Sequence, residues 1–214
     1  GYSLAYHIRD IVALLDDLDV ERVILMGHSL GAFISLAFAA EHPDRVDQLI
    51  LVDGAGDLSP EQLDQVFVGI KPALDRLEQI YPSKEAYLEA MKSGPAIQPW
   101  NSVVENYYKH EIEITDSGAK TNISPENIVE EAGNVRTVKC RTFYPQLKCR
   151  TLILKATEGL LSREDLLLPE DVTAIMMKEI PDATRFDVEG TNHYGILFQP
   201  HATRDRAIVQ FLIG

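Results

Sequence analysis

Residues 23–32, Val-Ile-Leu-Met-Gly-His-Ser-Leu-Gly-Ala, constrain the fold more than any other stretch. Four apolar residues run straight into Gly27-His28-Ser29-Leu30-Gly31, and residues 33–40 are almost continuously apolar. The spacing predicts a strand, a sharp turn at Ser29 and a helix buried against a sheet. A turn this tight forces Ser29 into a strained backbone conformation and favours small residues on both sides of it. It also holds the serine hydroxyl clear of the sheet edge, at a helix N-terminus whose amides favour developing negative charge. Ser29 is therefore a candidate nucleophile.

The flanking pattern extends this unit. Leu4, Ile8, Ile11, Leu14, Leu15 and Leu18 recur at helical spacing and predict an amphipathic helix over 2–18. Residues 48–52 predict a second strand, ending at Asp53-Gly54-Ala55-Gly56. A strand–helix–strand unit of this length makes the two strands parallel, and unbroken apolar runs fit a sheet covered on both faces. From 59 to 144 the pattern is helical, with helices expected over 60–80, 83–92 and 103–110 and a polar loop over 115–122. Ser59-Pro60-Glu61-Gln62 has the form of a capping box. Strands are expected again at 151–154 and 185–188, with helices at 169–180 and 202–212.

Gly27-His28-Ser29-Leu30-Gly31, Leu51-Val52-Asp53-Gly54 and Gly190-Thr191-Asn192-His193-Tyr194, in this order, resemble the α/β-hydrolase superfamily. The resemblance spans nearly the whole chain. It implies an α/β-hydrolase fold, a mostly parallel sheet built from residues 1–57 and 145–214, with residues 58–144 as a helical cap. It implies Ser29 as nucleophile, His193 as the base that takes its proton, and the Leu30 N–H as an oxyanion donor. His28, inside the turn, is expected to point into the fold. The acid departs from the common pattern, in which it follows the strand after the cap. The expected position there is Gly159, with Glu158 one residue early and Asp165 six late. Some members place the acid at the end of the strand following the elbow helix, which is Asp53 here. Asp53 ranks first, with Glu158 and Asp165 as alternatives.

The resemblance also exposes what is absent. The family's second oxyanion amide comes from a His-Gly loop after an early strand, and no His-Gly occurs in the sequence. Strand 23–26 would be an edge strand without proline or charge to protect it. The expectation is that the N-terminal half of the fold lies elsewhere in the same chain or in another one.

A serine in the elbow implies two-step hydrolysis of an ester or related carbonyl bond of a small or medium apolar substrate, without metal or other cofactor. Carbon–carbon bond hydrolysis, acyl transfer on the same triad, and a non-catalytic binding protein or inactive fragment of the same fold are the alternatives. Phe67, Tyr81, Tyr87, Trp100, Tyr107, Tyr108, Phe143 and Tyr144 could wall a pocket, Trp100 and Tyr107 foremost. A net charge of −13 argues against nucleic-acid or anionic-membrane partners. No run approaches the about 18 apolar residues of a membrane span. Cys140 and Cys149 lack any metal or redox spacing, which points to free thiols in a reducing, cytoplasmic compartment.

Overall fold

The computed structural model describes residues 1–94, 97–162 and 165–214. Helix α1 (Leu4–Asp17) buries Ile8 and Leu15. Strand β1 (Val23–His28) enters the turn at Ser29, and helix α2 (Leu30–Glu41) leaves it. Leu36 to Ala40 are buried without a break, as expected of a helix enclosed by the core. Strand β2 (Val46–Val52) lies parallel to β1, with Met26 opposite Ile50 and His28 opposite Val52.

The next segment holds α3 (Pro60–Asp75), α4 (Lys84–Ser93), α5 (Ser102–Glu111), β3 (Ile112–Thr115), β4 (Gly118–Thr121) and α6 (Pro125–Val135). Ser59 and Gln62 close the expected capping box in both directions. The expected loop at 115–122 is corrected: β3 and β4 form an antiparallel hairpin, and Tyr81 and Ala119 exchange backbone hydrogen bonds of 2.8 Å beside it. Ile112 and Ile114 alternate with polar residues, but over only four positions, too short a run to stand out. Gly118 sits at φ 130°, where a Cβ would meet the Tyr81 carbonyl oxygen at 2.2 Å. Helix α6 was also unexpected. His7 of α1 ties it down, with Nε2 2.7 Å from Glu131 Oε2.

The chain then returns to the sheet through β5 (Arg150–Ala156), α7 (Glu170–Glu179), β6 (Ala183–Val188), α8 (Gly195–Phe198) and α9 (Ala202–Ile213). Sheet order is β1-β2-β5-β6, all parallel. Leu49, Leu51 and Ile153 pack with α1, α2 and α7 on one face. Ile50, Val52, Leu152 and Leu154 pack with Phe211 of α9 and Ile196 of α8 on the other. Both faces of the inner strands are thus covered, which explains their unbroken apolar runs. Among the described residues β1 pairs with β2 alone, and its Ile24 and Met26 are 51% and 46% exposed.

The turn is glycine-dependent on one side only. A Cβ at Gly27 would meet the Gly31 carbonyl oxygen at 2.1 Å and Ser35 Oγ at 2.5 Å, whereas a Cβ at Gly31 meets nothing within 4 Å. The demand for small residues on both sides of Ser29 is corrected to a demand at Gly27. Gly27→Ala is expected to cost about 1–3 kcal/mol by overpacking. Gly31→Ala, inside α2, is expected to be neutral or to stabilise by up to about 1 kcal/mol. Urea midpoints of the two variants check this, and equal losses would contradict it.

Candidate active site

Because all four strands run the same way, their carboxyl ends share one edge of the sheet, where α/β sheets place ligands. Ser29 follows β1 at φ 55° and ψ −123°, outside the regions favoured by L-residues. Its amide donates to the Val52 carbonyl at 3.2 Å, fixing the elbow to β2. Gly54 makes this approach possible, since a Cβ there would meet Ser29 O at 2.7 Å and Ala32 Cβ at 2.9 Å. Leu30 is the first residue of α2, so its N–H has no partner within the helix.

Asp53 follows β2 at φ 44° and is 2% exposed. Its amide donates to Leu154 O (2.8 Å), and its Oδ1 accepts from Ala156 N (3.0 Å). Its Oδ2 lies 2.9 Å from His193 Nδ1. A carboxylate only accepts, so Nδ1 carries a proton, and in the neutral ring Nε2 is the acceptor. His193 is 3% exposed and sits in the loop after β6. Gly190 turns that loop at φ 69°, and Thr191 Oγ1 anchors it to Val188 O at 2.7 Å.

The other acids are elsewhere. The Asp165 carboxylate accepts from the amides of Leu160 (2.7 Å), Leu161 (2.7 Å) and Ser162 (3.1 Å), closing its own loop. Glu158 is exposed, and its backbone amide donates to Thr191 O of the histidine loop at 2.9 Å. Of the three candidate acids, the structure brings Asp53 to His193.

Two cavities meet at Ser29, and both are also lined by Ile70 and Leu74 of α3. One, of about 210 Å³, runs past Leu30, Phe33, Val66 and Phe67 and is apolar apart from Ser29 and Glu131. The other, of about 280 Å³, holds His28, His193, Tyr107, Tyr108, Tyr194 and Arg76. Tyr107 thus lines a cavity that also holds Ser29. Trp100 does not: its ring stacks on Tyr108 at 5.6 Å, outside both cavities, so it backs the wall rather than forming it. Tyr87 and Tyr144 are fully buried, and the Tyr144 hydroxyl donates to Ala55 O at 2.7 Å. Burial pushes the Tyr108 and Tyr194 hydroxyls up to about 12, so both keep their protons.

Sequence reasoning missed Arg76, Glu111 and the role of His28. Arg76 and Glu111 form a paired, largely buried unit between α3 and α5, joined by the Tyr87 hydroxyl, which donates to Glu111. Burial opposes the charge of Arg76, but the hydrogen bond and charge of Glu111 outweigh it and hold its pKa above the ordinary value. His28 stacks on His193 (4.3 Å between ring centres, 27° between planes). Its Nε2 lies 2.8 Å from the His193 carbonyl oxygen, so the largely buried His28 braces the His193 loop.

Burial, reinforced by the neighbouring His193, lowers the His28 pKa from 6.5 to about 4. Between these values the unfolded chain takes up a proton that the folded one refuses, so stability falls as pH drops from 6.5 towards 4. The expected loss is on the order of 3 kcal/mol over that window. His28→Asn should flatten that part of the stability–pH curve. An unchanged slope in the variant would remove His28 as its source.

A family model described as alpha/beta hydrolase fold matches residues 1–200. The "Serine hydrolase-like protein" of Danio rerio is 22% identical over 209 residues, which cover 90% of this chain and 61% of that protein. The chain therefore spans about six tenths of the length of this curated relative. Among solved structures, E-2-(acetamidomethylene)succinate hydrolase superposes with a TM-score of 0.84 at 23% identity, covering 100% of this chain and 75% of that one. A marine microorganism esterase superposes with a TM-score of 0.70 at 22% identity, covering 98% and 77%.

Proposed function

Since the chain belongs to the alpha/beta hydrolase fold family, we propose that it serves a serine hydrolase acting on an ester or related carbonyl bond. The observation that carries this reading is the Asp53–His193 pair at 2.9 Å, beside a strained Ser29 in the same cavity. Asp53 holds the imidazole with Nδ1 protonated, so His193 Nε2 can take the Ser29 proton as Oγ attacks the carbonyl carbon. The carbon–oxygen bond to the leaving group then breaks, and the leaving oxygen receives that proton from His193. Water, deprotonated by the same nitrogen, attacks the acyl-serine and returns the free acid and Ser29. The Leu30 amide stabilises the oxyanion in both steps.

The two cavities divide the substrate. His193 protonates what departs, so the leaving group occupies the cavity of His193 and Tyr107. The apolar cavity past Leu30 then receives the acyl chain, which makes the substrate an ester with a small or medium apolar acyl group. The free edge of β1, with Ile24 and Met26 uncovered, is where a further strand of the same protein or of another chain would pair and bring a second oxyanion amide.

Labelling with a fluorophosphonate probe tests the reading. The expected result is one covalent adduct on Ser29, absent in Ser29→Ala. A folded protein with intact residues that takes no label would count against it.

A further inference from the structure

Among the described residues, the cavity shared by Ser29 and His193 is lined by one arginine or lysine, Arg76, whose side chain is only 13% exposed. Its guanidinium is partly committed. Nη1 donates to Glu111 Oε1 (2.5 Å) and to the Tyr87 hydroxyl (2.9 Å), and Nη2 donates to Glu111 Oε2 (3.2 Å). Nε–H and the second Nη2–H, which lie side by side, make no hydrogen bond among the described residues. This side-on pair matches the two oxygens of a carboxylate.

Elsewhere in the molecule the same fork is loaded. Arg185 gives Nε and Nη2 to Asp187 at 2.6 and 2.7 Å, while Nη1 and Nη2 hold Glu170 at 2.6 and 2.7 Å. One guanidinium here carries two carboxylates, one on each fork. Arg76 has the second half of that arrangement, through Glu111, and lacks the first. Its plane is set by Glu111 and by the Tyr108 ring, 5.3 Å from the guanidinium carbon. The Tyr108 and Tyr194 hydroxyls line the same cavity and also make no hydrogen bond among the described residues.

We propose that the uncommitted fork of Arg76, with the Tyr108 and Tyr194 hydroxyls beside it, binds a carboxylate carried on the leaving group of the substrate. The assignment to the leaving group rests on the hydrolase reading above; the carboxylate site itself does not. The substrate is then an ester with an apolar acyl chain on one side of Ser29 and an anionic group on the other. Glu111 already neutralises Arg76, so the preference comes from two aligned hydrogen bonds rather than from net charge.

The test compares 4-carboxyphenyl butyrate with 4-carbamoylphenyl butyrate, each kcat/KM being divided by the ester's hydroxide-catalysed rate. The carboxylate ester is expected to be favoured about tenfold or more, the range for hydrogen bonds to charged groups. The ratio is expected to collapse towards one in Arg76→Lys, which keeps the charge but not the fork, and in Arg76→Gln/Glu111→Gln, which leaves no carboxylate unpaired. A ratio of one in the unmodified protein, or a preference that survives both variants, overturns the proposal. Calorimetry with 4-hydroxybenzoate and 4-hydroxybenzamide needs no turnover. If neither ester is cleaved and Ser29 takes no label, the hydrolase reading fails, while tighter binding of the benzoate still supports the site and equal or absent binding refutes it.

Discussion

Ser29→Ala is expected to lower kcat for p-nitrophenyl butyrate by about 10⁵–10⁶-fold with little change in KM. The oxygen that forms the acyl bond is gone, while both cavities keep their walls. What remains is catalysis by the oxyanion amide and by binding alone, which is small beside the loss of the nucleophile. Fold stability should not fall with activity, because Ser29 Oγ makes no hydrogen bond among the described residues. Ser29→Gly serves as a control: it should be equally inactive yet more stable, since glycine adopts φ 55° without strain. Steady-state kinetics and thermal melts together make the check. A variant that retains a tenth of the activity would rule out Ser29 as the nucleophile.

Asp53→Asn is expected to cost about 10⁴-fold in kcat. The asparagine amide would donate to His193 Nδ1, which must then become the acceptor. The proton moves to Nε2, the atom that has to accept from Ser29. The geometry survives while the tautomer is wrong, and the asparagine oxygen can still accept from Ala156 N as Oδ1 does now. Activity should therefore vanish with only a modest fall in melting temperature. Glu158→Gln and Asp165→Asn separate the alternatives. The first should leave kcat within about twofold, because Glu158 is exposed and it is Asp53 that holds His193 Nδ1. Asp165→Asn acts on the Leu160–Ser162 turn, and any loss there should follow stability. A larger kinetic loss at either position than at Asp53 would reassign the acid.

The legible part of this site is the part that one short stretch decides. The elbow was readable because Gly27, Ser29 and the apolar runs around them are contiguous, and a Cβ at Gly27 has no room. His193 was readable because it closes a strand-and-glycine turn. Asp53 was ranked but not fixed, since choosing it requires the 2.9 Å contact across 140 residues of chain. Arg76 and Glu111, 35 residues apart, look like two ordinary surface charges in sequence. Only the fold, which sets the residue after α3 against the last residue of α5, makes them a buried pair. The β3–β4 hairpin was lost because four-residue strands barely alternate, and α6 because its apolar positions are few. Trp100 was misplaced by the habit of aiming large aromatics at ligands; it stacks on the residue that faces the cavity instead.

The residues proposed to react and those proposed to set specificity hang from different supports. Ser29, Asp53 and the His193 loop are each tethered to the sheet, through Val52 O, Leu154 O with Ala156 N, and Val188 O. Tyr107 and Tyr108 belong to α5, and Tyr108 packs in a separate small core with Tyr87, Ile97, Val104 and Ala119. Regions with their own small cores open at lower free energy than the main sheet. In rising urea the protein should therefore first lose discrimination among leaving groups, and lose esterolysis itself only when the sheet melts. Selectivity, on this view, is the earlier casualty of denaturation, and a population of sheet-intact, indiscriminate molecules should be detectable between the two transitions.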